Sequence, residues 1–214
     1  AEVFEIADEV VILRDGKTIA QKPMSEVDSA SLIRLMVGRD LSQVFDHTSS
    51  TTDRVVLDVE HVTSPDVRDI SLRVHAGEIV ALAGLVGAGR SELAGAIVGD
   101  LPITSGTVAV DGRRVHLREP SSAIHAGVGY APEERKRDAL FMLRSIRDNA
   151  TLVILKNLTR MRFIDFAKEK SVGSEYLARL RVRTPSYDRP VATLSGGNQQ
   201  KVVLARWLAA RPKV

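Results

Sequence analysis

Cysteine is absent from the 214-residue chain, so neither a disulfide nor a thiolate metal site can form. Aromatic residues make up only 4% of the sequence, which leaves few rings on which nucleic-acid bases could stack. No stretch approaches the ~18 consecutive apolar residues that a membrane-spanning helix requires, and no signal-peptide pattern begins the sequence. We therefore expect a cytosolic protein that could still dock on a membrane partner.

The net charge does not indicate nucleic-acid binding, because 30 Lys and Arg residues are nearly balanced by 27 Asp and Glu residues, which gives a formal charge of only +3. No Lys/Arg block with interleaved aromatic residues occurs, so nucleic acid is not expected as a partner. None of the five histidines pairs with another at metal-ligand spacing; they are His47, His61, His75, His116 and His125. The 44% of hydrophobic residues suffice for one domain and an additional piece.

Two regions follow one another along the chain. The first predicts a helix up to Glu9, a hairpin on the Asp15-Gly16 turn, and a short amphipathic helix that begins near Ser29 or Ser31 and ends at Gly38. Residues 46–54 are polar and rich in Ser and Thr, which indicates a linker.

The second region begins at Val55 and mixes strand and helix patterns. Residues 79–83, all apolar, are typical of a strand buried on both faces of an α/β sheet. A hairpin is expected on the Asp111-Gly112 turn. Further predicted strands are 55–59, 70–74 and 128–131, and predicted helices are 91–98, most of 146–182, and 201–210.

A glycine-rich stretch, Gly84 to Ser91, lies between the apolar run and a helix. Its spacing matches the phosphate-loop pattern G-x-x-x-x-G-K-[ST], with Arg90 in place of Lys. A glycine-rich turn of another α/β protein and a dinucleotide-binding turn are the alternatives, although the order G-x-x-G-x-G differs from G-x-G-x-x-G. Because Arg is bulkier and planar, we expect phosphate binding through backbone amides without hydrolysis at this loop.

A second motif, Leu-Ser-Gly-Gly-Asn-Gln-Gln at 194–200, opens the last predicted helix, which runs from Lys201 to Ala210. A hydroxyl and two glycines at a helix start leave backbone N–H groups bare, and the helix dipole attracts an anion there. The same residues also suit an ordinary helix cap with a flexible lead-in. A third stretch, Glu133 to Arg137, is either a solvated charge run or a functional loop.

Together these stretches resemble the ATP-binding-cassette family, and most closely the double-cassette ATPase subunits of bacterial sugar importers of the ribose/galactose/xylose type. The resemblance covers residues 55–214 and rests on 84–93, 130–137 and 194–201. The second cassette of such subunits typically carries an Arg-containing phosphate loop. It also typically carries a Pro-Glu-Asp/Glu-Arg-Lys stretch, in which Glu133 takes the Q-loop position.

The resemblance implies an α/β fold: a P-loop NTPase (RecA-like) core with an antiparallel β subdomain and a helical signature subdomain, incomplete at the C-terminus. Residues 1–45 resemble the tail of a first cassette and a connecting helix, 46–54 the linker, and 55–214 a second cassette that stops before Walker B. The Walker B Asp and the catalytic Glu are therefore expected after Val214, no catalytic set is complete here, and this chain alone is not expected to hydrolyse ATP.

The same resemblance assigns ATP and Mg²⁺ as cofactors. It gives nucleotide contacts to Gly84, Leu85, Val86, Gly87, Ala88, Gly89, Arg90, Ser91 and Glu92, with Ser91 also touching Mg²⁺. It gives the signature role, acting on a nucleotide held by another cassette, to Leu194, Ser195, Gly196, Gly197, Asn198 and Gln199. The expected partners are that second cassette (in the same subunit or a dimer mate), membrane permease subunits and, indirectly, a periplasmic sugar-binding protein. The expected location is the cytoplasmic face of the inner membrane.

Overall fold

The computed structural model describes residues 2–14, 16–37 and 50–214. The chain divides into two compact units, residues 1–49 and residues 50–214. Within the described ranges, no helix is long and apolar enough to cross a membrane. The predicted end of the amphipathic helix at Gly38 and the first part of the predicted linker lie outside the described residues.

The first unit contains the predicted hairpin. Arg14 pairs with Lys17, and Gly16 has a φ of +74°, which suits a tight turn. The first helix ends before the predicted Glu9, because Glu9 already pairs with Pro23 in the hairpin. The elements are α1 (Glu2–Ile6), β1 (Glu9–Arg14), β2 (Lys17–Pro23), a 3₁₀ turn (Met24–Glu26) and α2 (Ser29–Val37).

Helix α2 is capped one residue earlier than the sequence predicts. The Asp28 carboxylate accepts a hydrogen bond from the backbone N–H of Ser31 at 2.7 Å, and the Ser31 hydroxyl accepts one from the N–H of Asp28 at 3.1 Å. The hydrogen bonds from Ser31 lower the pKa of the Asp28 carboxyl. This reciprocal arrangement satisfies two donors that a helix start otherwise leaves open.

The second unit begins with a four-stranded antiparallel sheet in the order β4-β3-β5-β6. The Asp111-Gly112 hairpin forms as predicted, between β5 and β6. The strands and helices of this part are β3 (Val55–Ser64), β4 (Val67–His75), α3 (Arg90–Val98), β5 (Ser105–Val110), β6 (Arg113–Val115) and α4 (Pro120–Ala126).

One face of this sheet builds a core, while the other carries charge. Leu57 and Val59 of β3 are buried in a cluster that includes Leu93 and Ile97 of α3. Asp58 alternates with these residues along the strand and receives a hydrogen bond from Arg73 of β4 at 3.1 Å. The period of two in β3 thus sorts apolar and charged side chains onto opposite faces, and α3 is fixed on the apolar one.

The predicted buried strand at 79–83 is wrong for the described residues. This segment pairs with no strand among them, and Ile79 remains 77% exposed. A strand buried on both faces needs hydrogen-bonded neighbours and covering helices, and the described part of the chain places neither there. Residues 128–131 do not form the predicted strand either. Their backbone is nevertheless engaged, because the N–H of Gly129 donates to the carbonyl of Val214 at 2.7 Å.

The remainder of the second unit is helical, as predicted, except for a short hairpin that interrupts it. Residues Met161 and Arg162 adopt positive φ and form the turn of that hairpin. Ile146, Leu177 and Val202 come from three different helices and are fully buried where these helices meet, forming a second core. The elements are a π-helical turn (Arg135–Ala139), α5 (Ile146–Thr151), a 3₁₀ helix (Leu152–Leu158), β7 (Thr159–Arg160), β8 (Phe163–Ile164), α6 (Phe166–Arg179), a 3₁₀ turn (Val191–Thr193) and α7 (Gly196–Ala210).

Candidate functional site

The phosphate loop, residues 84–91, is an open loop that leads directly into α3. Gly89 caps the helix in the left-handed region, with a φ of +87° and no side-chain capping bond. Val86 at the tip is 98% exposed. The start of α3 therefore offers its backbone N–H groups without a competing side chain, which is the arrangement that a phosphate requires.

Side chains around the loop provide few ionic contacts. Arg90 and Ser91 are exposed on the first turn of α3, and Glu92 beside them is partly buried. No cluster of three His, Asp or Glu side chains that could hold a metal ion occurs in the described ranges. The Ser91 hydroxyl is an oxygen ligand of the kind that Mg²⁺ accepts, and phosphate and water oxygens would have to complete its shell.

Gly89 is fixed as glycine by its backbone and by its surroundings. A Cβ added to Gly89 would lie 2.9 Å from Val67 Cγ1, whereas a Cβ on Gly87, at a similar φ of +82°, would meet no atom within 4 Å. We expect Gly89→Ala to lower the free energy of unfolding by about 2–3 kcal/mol and Gly87→Ala by about 1 kcal/mol. Urea denaturation of both variants measures the difference. Equal losses would contradict the steric contribution of Val67.

The signature turn, residues 194–199, begins α7 five residues before the predicted start at Lys201. Ser195 is the N-cap residue, with extended backbone, and the helix runs from Gly196. The Ser195 hydroxyl is exposed and accepts a hydrogen bond from the Asn198 side chain at 3.1 Å. A Cβ on Gly197 would meet no atom within 4 Å. The turn thus presents a hydroxyl at Ser195 and unobstructed backbone at Gly197, at the positive end of a 15-residue helix.

Other residues of the signature turn face inward. Gln199 is only 2% exposed, and its side-chain amide donates to the carbonyl of Val191 at 3.4 Å. Leu194 is buried in the second core, and the Asn198 side chain accepts from the N–H of Arg183 at 3.0 Å. These contacts hold the turn in place. The nucleotide contacts that the sequence predicts for Leu194, Asn198 and Gln199 stay predictions.

The predicted Q-loop residue, Glu133, is exposed in the loop before the π-helical turn. Glu133 and Glu92 both act electrostatically on Tyr130, whose pKa is raised mainly by burial and further by these carboxylates and those of Asp100 and Asp138. Tyr130, three residues before Glu133, packs against the first core, to which Leu93 of α3 also belongs.

The sequence predicts no separate role for Arg135, which the structure places beside the signature turn. Its guanidinium lies against the first residue of α7, so that a Cβ added to Gly196 would be 2.6 Å from Arg135 Nη2. The charge run at 133–137 shows five polar residues without indicating which one turns inward, so no sequence signal separates Arg135 from its neighbours.

The phosphate loop and the signature turn do not meet through polar contacts. Among the described residues, no hydrogen bond or ion pair joins 84–91 to 194–199. Arg135 instead links the signature turn to the Glu133 loop. This arrangement agrees with two motifs that act on different ligands or on different parts of one.

Known proteins place this geometry in a family. The family model for the ABC transporter matches residues 67–214. The ribose import ATP-binding protein RbsA 3 of Rubrobacter xylanophilus is 44% identical over 214 residues, all of this chain. The putative ribose/galactose/methyl galactoside import ATP-binding protein 3 of Agrobacterium fabrum is 41% identical over the same length. The chain spans 43% of the length of each of these relatives.

Solved structures of ATP-binding cassettes share the fold. The cassette MJ0796, a dimer in a post-hydrolysis state bound to ADP and Pi, has a TM-score of 0.62 at 21% identity, covering 73% of this chain and 70% of that one. CbiO1 from Clostridium perfringens, part of the ABC transporter complex cbiONQ, has a TM-score of 0.58 at 18% identity, covering 75% of this chain and 63% of that one. The chain therefore belongs to the ABC transporter family, and its fold is that of an ATP-binding cassette.

Proposed function

We propose that this chain is part of the ATP-binding subunit of an ABC-type sugar importer, which couples ATP binding and hydrolysis to carbohydrate uptake. The observation that carries the ATP-dependent part is the exposed turn at Ser195–Gly197, with its hydroxyl and open backbone at a helix start. The sugar-import part is supported by relatives that align with the whole chain and whose names specify ribose import or ribose/galactose/methyl galactoside import.

The signature turn serves a nucleotide held by another cassette, either in the same subunit or in a dimer mate. The Ser195 hydroxyl and the backbone of Gly196 and Gly197 contact its phosphates, while buried Leu194 and Gln199 and partly buried Asn198 hold the turn. The lack of polar contacts to the phosphate loop in the described residues supports this separation. Hydrolysis occurs at this composite site, with the general base supplied from elsewhere.

The phosphate loop of this chain holds a second nucleotide without hydrolysing it. Backbone amides between Gly84 and Gly89 surround the phosphates, Ser91 contributes a hydroxyl to Mg²⁺, and Glu92 follows on the same helix turn. Arg90 supplies charge but, being planar and bulkier than Lys, does not occupy the position between the terminal phosphates. Bound Mg²⁺ would neutralise phosphate charge there.

Membrane permease subunits bind the helical part of the second unit, which locates the protein at the cytoplasmic face of the inner membrane. Phe141, Leu143, Phe163 and Phe166 expose large apolar side chains in that part. Apolar side chains left exposed in one region of a soluble domain commonly mark an interaction surface. A periplasmic sugar-binding protein then acts indirectly, through the permease. Sugar-stimulated ATP hydrolysis by the full-length protein, with and without a substitution at Ser195, tests the whole proposal.

A non-hydrolytic module, which senses nucleotide or acts as a scaffold, is the second candidate, and Arg90 in place of Lys favours it for the local site. We expect labelled ATP with Mg²⁺ to bind this chain, and Arg90→Ala to weaken binding about tenfold because charge-assisted hydrogen bonds to phosphate are lost. Arg113→Ala, an exposed strand residue, is the matched control. No binding at ~1 mM nucleotide would leave residues 84–91 with the scaffold role alone.

A further inference from the structure

The signature turn is in contact with a guanidinium that has no partner of its own. Arg135 Nη2 lies 2.6 Å, and Cζ 3.7 Å, from the point where a Cβ of Gly196 would stand. Arg135 Nε is buried without a hydrogen-bond partner. Throughout the described ranges no carboxylate, carbonyl or hydroxyl pairs with this guanidinium. A charged side chain in such a position is held there by packing, and its location needs a reason.

We propose that Arg135 is a positioning residue for the signature turn: its guanidinium packs on the backbone at Gly196 and sets where Ser195 and Gly197 meet a nucleotide. This inference rests on the proposed function, because it deepens the account of the same composite site. A Cβ at Gly196 would displace the end of the Arg135 side chain, whereas a Cβ at Gly197 would meet no atom within 4 Å.

The backbone that carries Arg135 is rigid enough to perform this task. Arg135 opens the π-helical turn, in which its carbonyl accepts from the N–H of Leu140 at 2.9 Å. Ala139 and Leu140 at the other end are buried in the second core. π-Helical turns of this kind occur frequently at functional sites. The turn therefore holds the backbone of Arg135 in place, while Glu133, two residues earlier, is exposed.

Charge makes the contact sensitive to nucleotide. A guanidinium beside the positive end of a helix is unfavourable by itself, and an anion bound at the turn offsets that repulsion. Arg135 therefore contributes little to the stability of the nucleotide-free protein and more to that of the nucleotide-bound protein. Movement of the Glu133 loop would also shift Arg135 and, through Gly196, the signature turn. The Q-loop position of this cassette can therefore influence the nucleotide that another cassette holds.

The test is a double-mutant cycle in the full-length protein, with the KM and kcat for ATP as readouts. We expect Arg135→Ala and Gly196→Ala each to raise the KM for ATP about tenfold, since a misplaced contact of 1 Å costs factors of this order or more. The double variant should show less than the product of the two factors, because the added methyl no longer meets a guanidinium. Arg135→Lys should recover part of the affinity through the retained charge.

Gly197→Ala is the matched control, since its added Cβ meets nothing. When Gly197→Ala is combined with Arg135→Ala, the increases in the KM for ATP caused by the two substitutions should multiply. If the Gly196 and Arg135 factors also multiply, or if Arg135→Ala leaves the KM unchanged, the positioning role is overturned. Melting temperatures of all variants separate this role from a loss of fold, which would lower the melting temperature and the apparent kcat without a specific rise in KM.

Failure of the proposed function would give a different experimental result. A wild-type protein that binds ATP but shows no hydrolysis overturns the proposed function, and the same cycle measured as dissociation constants for trinitrophenyl-ATP still decides the role of Arg135. A wild-type protein that binds no nucleotide overturns both.

Discussion

Sugar-stimulated ATP hydrolysis is expected to fall by about 100-fold or more when Ser195 is replaced with Arg in the full-length protein. Ser195 is exposed at the start of α7, and its hydroxyl is engaged only locally, with Asn198. The substitution therefore changes what a nucleotide meets and leaves the packing of α7 intact. An arginine here would cover the open backbone at Gly197 and add a second guanidinium near Arg135, so both shape and charge at the phosphate position would change.

The control for this substitution is Ser121→Arg, which makes the same chemical change on an exposed helix. The Ser121 hydroxyl bonds only with the neighbouring Glu119 carboxylate, and an arginine there can still pair with that carboxylate. We expect its hydrolysis rate to match the wild type within twofold, which is about 0.4 kcal/mol in the barrier. Full sugar-stimulated activity in the Ser195→Arg protein would contradict the composite site, and absence of sugar stimulation in the wild type would contradict the assignment to a sugar importer.

Local patterns in the sequence predict much of the fold because their causes are local. Asp15-Gly16 and Asp111-Gly112 each lie between two short strand-like segments, and both hairpins form. Glycine at 89 followed by a helical composition predicts α3, which begins at Arg90. In each case the turn chemistry and the side-chain period suffice, so tertiary contacts refine the ends of the element and do not decide its type.

Non-local pairing limits the prediction for 79–83. The apolar run has the composition of a buried strand, but a strand exists only where another strand accepts its hydrogen bonds. Nothing in the run itself states which segment that is, and the described residues place none beside it. The side chains consequently remain exposed where the sequence predicts burial, with Leu82 and Val80 among them.

The candidate site also has one part that the sequence predicts and one part that it does not. The two motifs could be found from sequence because glycine, serine and spacing carry the phosphate-binding geometry. The inward role of Gln199 and the contact of Arg135 with Gly196 could not, because both depend on residues more than five positions away, Val191 in one case and the π-helical turn in the other. Motif recognition thus identifies which residues approach a ligand and leaves open which residues hold them.

Asn149 anchors the segment behind the site through hydrogen bonds of its side chain. It is only 1% exposed, and its side chain accepts from the N–H of Phe141 at 2.9 Å while donating to the carbonyls of Phe141 at 3.0 Å and Ser145 at 2.9 Å. These bonds tie the end of the segment that carries Glu133 and Arg135 to the start of α5. Loss of this side chain leaves the N–H of Phe141 without its partner and removes one of the two donors to each carbonyl, since the N–H groups of Arg144 and Asn149 remain.

Arg206 of α7 also donates hydrogen bonds to Asn149. Its guanidinium is 6% exposed and donates to the carbonyl of Asn149 at 2.7 Å, with a longer bond of 3.4 Å to the Asn149 side chain. Burial lowers the pKa of Arg206 to about 10, which leaves it charged at neutral pH. A buried cation of this kind depends on every acceptor it has, since no carboxylate among the described residues pairs with it.

We expect Asn149→Leu, which keeps the approximate shape of the side chain, to lower the free energy of unfolding by about 3 kcal/mol. The N–H of Phe141 loses its partner, the carbonyl of Phe141 keeps only the N–H of Arg144, and Arg206 loses one acceptor. Asn157→Leu is the matched control, because Asn157 is exposed, and it should change stability by less than about 0.5 kcal/mol. Urea denaturation followed by circular dichroism measures both. A loss below about 1 kcal/mol for Asn149→Leu would mean that water or a shifted loop replaces these hydrogen bonds. The segment that carries Arg135 would then be anchored by its apolar contacts alone.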